Sequence, residues 1–267
     1  MPSVNDVSLL GLGEPFMNPA ILSMAGETKS RGITVRTATN GTLLGRYEPR
    51  RILEAFDEII FSIDAADPET FSRMREGAVW DVVFKNMASL AETKNRLGIA
   101  TQITTNTVLS IQNRDEVAGL FEIGKALGIA KMRFVMAGDL ASRTDALMKQ
   151  HREHIWTTRI QAADVERAIG EQVKSLSAAA GIPASFAGNA PYAPGCRWPL
   201  RGTFVSHDGR VTPCCMRMDP DEYGFGNALE QPISEIWASP AYARFREASA
   251  AGAAGGGIPD VCRGCPA

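Results

Sequence analysis

Between Val7 and Met136, short β-branched or apolar runs alternate with runs of helical period, and glycine or polar turn residues separate them. Val7–Gly11 is a strand ending in the turn GLGEP, and a helix pattern follows from about Pro19 to Arg31. Ile33–Thr39 is a strand closed by Asn40-Gly41, Pro49–Phe56 a helix, and Glu58–Asp64 a strand. Asp67-Pro68 supplies an N-cap and a first-turn proline for the next helix. Val83, Phe84, Met87, Leu90 and Leu97 then recur at helical spacing before Gly98. Residues 100–109 form a strand, Asn113 with Glu116 a capping-box start, and residues 131–136 a fifth strand. Such alternation requires parallel β/α units with right-handed crossovers, so the fold class is α/β. Parallel sheets bind ligands at the C-terminal ends of their strands. The polar punctuation falls there: Gly13-Glu14, Asn40-Gly41, Ser62 with Asp64, and Asn106.

The second constraint is where the thiols lie. All five cysteines follow residue 195. Cys196 and Cys214 flank a segment whose HDGRV turn folds the chain back, and Cys262 and Cys265 close the sequence as VCRGC. A C-x-x-C pair puts two thiolates on one turn, and two more complete a four-sulfur shell for zinc or an iron–sulfur cluster. Cys215, directly after Cys214, points elsewhere in an extended chain and is read as a non-ligand. Residues 1–140 are therefore taken as the α/β core, 141–190 as a charged helical linker, and 191–267 as a small cysteine-rich domain. The run Ala248–Gly257 reads as a flexible link.

Composition excludes some partners. Lys and Arg number 28 against 30 Asp and Glu, a net charge of −2, which gives no footprint for nucleic acid or an anionic membrane. No apolar run has transmembrane length, and MPSVNDVSLL has no signal-peptide pattern, so the chain reads as cytoplasmic. There, clustered cysteines more often bind metal than form disulfides. The histidines His151, His154 and His207 show no catalytic spacing.

Taken together, these motifs resemble those of radical S-adenosylmethionine (SAM) enzymes with a C-terminal SPASM or twitch extension. GLGEP resembles the family's GGEP motif, which implies that Gly13 and Glu14 bind the cofactor's methionine ammonium. SIDAADPETFSRMREG (residues 62–77) resembles its S-x-D…R-G segment, implying cofactor contacts from Ser62, Asp64 and Arg75, and Asn40 fits a further family position. Cys196, twelve residues, Gly209, four residues and Cys214 fit the SPASM spacing, and residues 226–248 resemble the helical segment between the cluster-binding parts. By this resemblance Cys196, Cys214, Cys262 and Cys265 hold one auxiliary 4Fe-4S cluster, with zinc as the competing occupant. The implied fold is a partial (β/α)6 TIM-like barrel lacking its first strand, plus a small cluster-binding domain. The implied substrate is a small molecule or a peptide, and the implied electron donor a flavodoxin or ferredoxin.

One family feature is absent from these residues. The catalytic cluster sits on a C-x-x-x-C-x-x-C loop, and no cysteine precedes Cys196. A second, catalytic 4Fe-4S cluster is expected only if a further N-terminal segment exists. As written, the sequence is expected to be inactive, either as part of a longer radical enzyme that modifies peptides, matures cofactors or oxidises amino sugars, or as a degenerate homologue that binds without catalysis.

Overall fold

A computed structural model describes residues 4–11, 13–137, 159–188, 196–215, 219–253 and 259–262. Contacts divide the chain into two compact units, one of described residues 4–137 and 159–188 and one of those from residue 196 onward.

The first unit is a wholly parallel six-stranded sheet. Its strands are β1 (Asp6–Leu9), β2 (Thr34–Thr39), β3 (Glu58–Ser62), β4 (Gln102–Leu109), β5 (Lys131–Met136) and β6 (Ala184–Ala187). Spatial order follows chain order from β1 to β6, as in a barrel wall and unlike a doubly wound sheet. The helices are α1 (Ile21–Ser30), α2 (Pro49–Ala55), α3 (Pro68–Met74), α4 (Trp80–Leu97), α5 (Val117–Leu127) and α6 (Ala163–Ala180). Period-2 alternation sends one strand face to the helices: Val35, Ile59, Phe61, Ile103, Met132 and Phe134 are buried. They meet Ile52, Leu53, Val83, Met87, Leu90, Leu120 and Phe121 in one core, each large side chain contributing about 1.5–3 kcal/mol of burial. The opposite face starts as a polar ladder. Asp6 Oδ2 lies 2.5 Å from Arg36 Nη2, Arg36 Nε lies 3.8 Å from Glu58, and Thr104 donates to Glu58 at 2.9 Å.

Two expectations change in this unit. Residues 159–188, assigned to the linker, instead supply α6 and the sixth strand of the sheet, while residues 141–158 lie outside the described set. The capping box at Asn113 does not form. Its amide bridges the Asp64 and Val108 carbonyls at 2.6 and 2.8 Å, and Glu116 accepts from the N–H groups of Ala66 and Asp67 at 2.8 Å each. These loops need the side chains more than the helix does, because a buried N–H or C=O left unpaired is costly. Asp67, by contrast, caps α3 as its sequence implies, accepting from Thr70 N–H at 2.7 Å.

The second unit contains α7 (Trp198–Arg201), the hairpin β7 (Phe204–Val205) and β8 (Val211–Thr212), α8 (Pro220–Tyr223), α9 (Ile233–Ala238) and α10 (Pro240–Ala253). The HDGRV turn closes the hairpin as expected, Ser206 N–H donating to Arg210 C=O at 2.9 Å. The core is small and aromatic, with Val211, Ile236 and Tyr242 buried against Phe225, Trp237 and Phe245. Part of the flexible link at Ala248–Gly257 is instead helical, since α10 runs to Ala253; alanine's high helix propensity outweighs the scattered glycine. Among the described residues no helix is long and apolar enough to cross a membrane.

Candidate functional site

The loop leaving β1 is fastened to the end of β2 by one carboxylate. Glu14 Oε1 accepts from Thr39 Oγ1 at 2.7 Å and from Phe16 N–H at 3.2 Å, and Oε2 accepts from Asn40 N–H at 2.8 Å. Gly13 precedes it at φ +112°, a backbone conformation that side chains rarely adopt. A carboxylate has about four acceptor positions, and these bonds occupy three. Glu14 thus shapes the loop first, with limited capacity left for a ligand cation. Asn40 continues the arrangement, its Oδ1 accepting from Thr42 N–H and Oγ1 at 2.9 and 2.7 Å.

Beside this turn, at the C-terminal ends of β2 and β3, lies a cleft of about 420 Å³ lined by Asn40, Thr42, Asp64, Arg75 and neighbours of Arg75. Asp64 is 6% exposed; its Oδ1 accepts from Val108 N–H at 2.8 Å and its Oδ2 meets Arg75 Nη2 at 2.6 Å. The structure therefore brings Asn40, Asp64 and Arg75 together. The sequence reading has Asp64 and Arg75 each touch a ligand, whereas in the fold they engage each other. Arg75 Nε is buried and without a partner, so the guanidinium still has an N–H for an acceptor entering the cleft. Gly13, Glu14 and Ser62 are not among the lining residues. Ser62 stands at the end of β3 opposite Asn106, whose Oδ1 is likewise buried and unpartnered. Sequence reasoning missed Thr42, whose N–H and hydroxyl both donate to Asn40, and it gave Asn113 a helix cap where the fold uses that side chain to hold the Asp64 and Val108 carbonyls.

In the second unit Gly209 sits at φ +83° in the hairpin turn. A Cβ there would stand 2.4 Å from Asn227 Oδ1 and 2.5 Å from Leu229 Cγ, so the glycine of the cysteine motif is required twice over. Asp208, the residue before it, accepts from the Ser206 hydroxyl and from Arg210 Nε at 2.8 Å. Led by the serine bond, these hold its carboxyl down at about 2. Cys196, Cys214, Cys215 and Cys262 are all partly exposed, and Cys265, His151 and His154 lie outside the described residues. Among the described residues no three His, Cys, Asp or Glu side chains form a metal-sized group. The ligand set therefore stands on spacing, supported by the hydroxyls of Thr212 and Tyr242, both buried and unpartnered in the same small unit.

Residues 196–266 match the SPASM family, described as an iron–sulfur cluster-binding domain. The cysteine-rich unit matches a SPASM domain, and over most of its length the chain is similar to radical SAM proteins. Its curated relatives include an AdoMet-dependent heme synthase of Methanosarcina barkeri, 27% identical over 86% of this chain and 68% of that protein. A PqqA peptide cyclase of Rhizobium meliloti is 24% identical over 95% of this chain and 64% of that protein. Among solved structures, SuiB of Streptococcus suis bound to S-adenosylmethionine superposes with a TM-score of 0.65 at 16% identity, covering 90% of this chain and 56% of SuiB. SuiB has also been solved bound to the precursor peptide SuiA. The SuiB likeness establishes the fold, and the chain spans roughly two thirds or less of each of these relatives.

Proposed function

We propose that this radical SAM/SPASM chain supplies the S-adenosylmethionine cleft and the auxiliary cluster site of an enzyme that modifies a peptide or matures a cofactor. The observation that carries this reading is the polar cleft at the strand ends, lined by residues of the same motifs that resemble the family's. The unpartnered Arg75 Nε suits a ligand carboxylate, and Asn40 with the loop held by Glu14 suits the polar methionine end. Ser62 and Gly13 would act from the margins. Cys196, Cys214, Cys262 and Cys265 would hold a 4Fe-4S cluster, whose chemistry is one-electron transfer. S-adenosylmethionine held there would supply radical chemistry; cysteines for a catalytic cluster are not among these 267 residues. A peptide substrate is supported by the likeness to the PqqA peptide cyclase and to SuiB, which has been solved with a precursor peptide. A flavodoxin or ferredoxin is the proposed electron donor.

Equilibrium dialysis of the full chain against S-adenosylmethionine tests the cleft. Saturable binding near one per chain, lost in Arg75→Ala, is the expected result. Absence of binding by a folded, cluster-loaded chain would overturn the cofactor reading and leave the SPASM domain as the supported part.

A further inference from the structure

Tyr242 is an unusual core residue. It lies near the start of α10, fully buried, with its ring stacked on Phe225 at 4.1 Å and 2° and edge-on to Trp237 at 5.0 Å. Arg246 reaches over the same ring at 5.0 Å and ties itself to Trp237 C=O with a 2.6 Å hydrogen bond. This cage fixes where the phenol oxygen sits. Yet that oxygen has no hydrogen-bond partner, and the same is true of Thr212 Oγ1, two positions before Cys214. Thr203 is near enough to lower the phenol's pKa, but its hydroxyl donates to the Thr212 carbonyl at 2.8 Å and no contact between the two hydroxyls has hydrogen-bond geometry. Buried hydroxyls almost always find a partner, because an unmet one costs stability. Were packing its whole purpose, phenylalanine would serve better at this position.

The surroundings say where the missing acceptor lies. α10 packs against α7, which begins two residues after Cys196. Burial pushes the Tyr242 phenol above its ordinary range, so it stays protonated. The phenol thus belongs to a ring packed with Val211, three residues before Cys214, on a helix packed beside the segment that follows Cys196.

We propose that the Tyr242 hydroxyl, seconded by that of Thr212, donates a hydrogen bond to a sulfur of the auxiliary cluster and so sets its reduction potential. The proposal rests on the cysteine-ligand reading above. Tyr242 is then a positioning residue. A donor aimed at a cluster sulfur favours the more electron-rich, reduced state, so removing it lowers the potential.

The test uses the full chain, reconstituted anaerobically with iron and sulfide, and compares Tyr242→Phe with wild type in a spectroscopically monitored redox titration. The expected result is unchanged iron and sulfide content with about a tenfold fall in the reduced-to-oxidised ratio at fixed potential, or about 59 mV for a one-electron couple. Thr212→Val should shift it in the same direction by less. Wild-type iron–sulfur vibrations should also move on exchange into D2O, a readout that needs no variant if either substitution prevents folding. An intact cluster with unmoved potentials and no deuterium sensitivity would overturn this inference while leaving the ligand reading in place. Failure of the wild-type chain to take up iron and sulfide would overturn the ligand reading, and this inference with it.

Discussion

Arg75 Nη2 lies 2.6 Å from Asp64 Oδ2 at the rim of the cleft, in a pair whose side chains are 22% and 9% exposed. Asp64 also anchors the Val108 N–H, and its own carbonyl takes the Asn113 amide, so this contact couples the ends of β3 and β4 to the residue that caps the C-terminus of α3. Binding and stability should therefore fall together when it is broken.

Arg75→Ala leaves a nearly buried carboxylate without its cation. Partial exposure of the arginine softens the cost, so a loss of about 2 kcal/mol in urea unfolding is expected. Affinity for S-adenosylmethionine in equilibrium dialysis should drop at least about tenfold, the value of one charged hydrogen bond. Unchanged affinity in a destabilised protein would assign Arg75 a structural role alone.

Glu14→Gln replaces a double acceptor by one acceptor and one donor. Whichever way the amide turns, an NH2 group faces either the Asn40 N–H or the N–H of Phe16 and the Thr39 hydroxyl, groups that now donate to the acid. Destabilisation of about 1–3 kcal/mol and faster amide exchange at Asn40 should follow. Exchange rates identical to wild type would show that the loop does not depend on this carboxylate.

Gly209→Ala demands a left-handed backbone from alanine and puts its Cβ into Asn227 and Leu229. The SPASM unit should lose about 1–3 kcal/mol and release iron more readily, measured as iron retained on dilution into chelator. Cys215→Ala should change neither quantity. Iron loss in that variant would mean that the ligand assignment is wrong.

Acid should open the same hairpin from Asp208. Its folded carboxyl is held down at about 2 against an ordinary 3.8, so its contribution is complete above the ordinary value and disappears as pH falls through that window. Chemical shifts of Ser206 and Arg210 should stay constant above about pH 5 and change between about pH 4 and 2. In Asp208→Asn that late transition should vanish.

The pieces legible in the sequence are those where one residue type is nearly obligatory. Asp67-Pro68 announces α3, Gly209 the hairpin turn, and the β-branched runs of β2 to β4 declare themselves by period. β6 was missed because ASFA has no β-branched residue and only four positions; it forms because Met132 and its neighbours on β5 offer an open edge. Asn113 matches a capping pattern, but competing carbonyls from Asp64 and Val108 decide where its amide goes. Asn40, Asp64 and Arg75 were named from motifs, yet their mutual geometry depends on pairings 11 to 44 residues apart in sequence, which no local pattern reports. Tyr242 carried no signal at all, since burial of one aromatic ring in a charged helix is fixed by Phe225 and Trp237.

The most direct measurement is the iron, sulfide and zinc content of the full chain purified without oxygen. A 4Fe-4S cluster on Cys196, Cys214, Cys262 and Cys265 predicts about four iron and four sulfide per chain, with visible absorption from thiolate-to-iron charge transfer. A colourless chain with one zinc and no sulfide would contradict the account, because the same four thiolates would then be a structural site without electron-transfer chemistry.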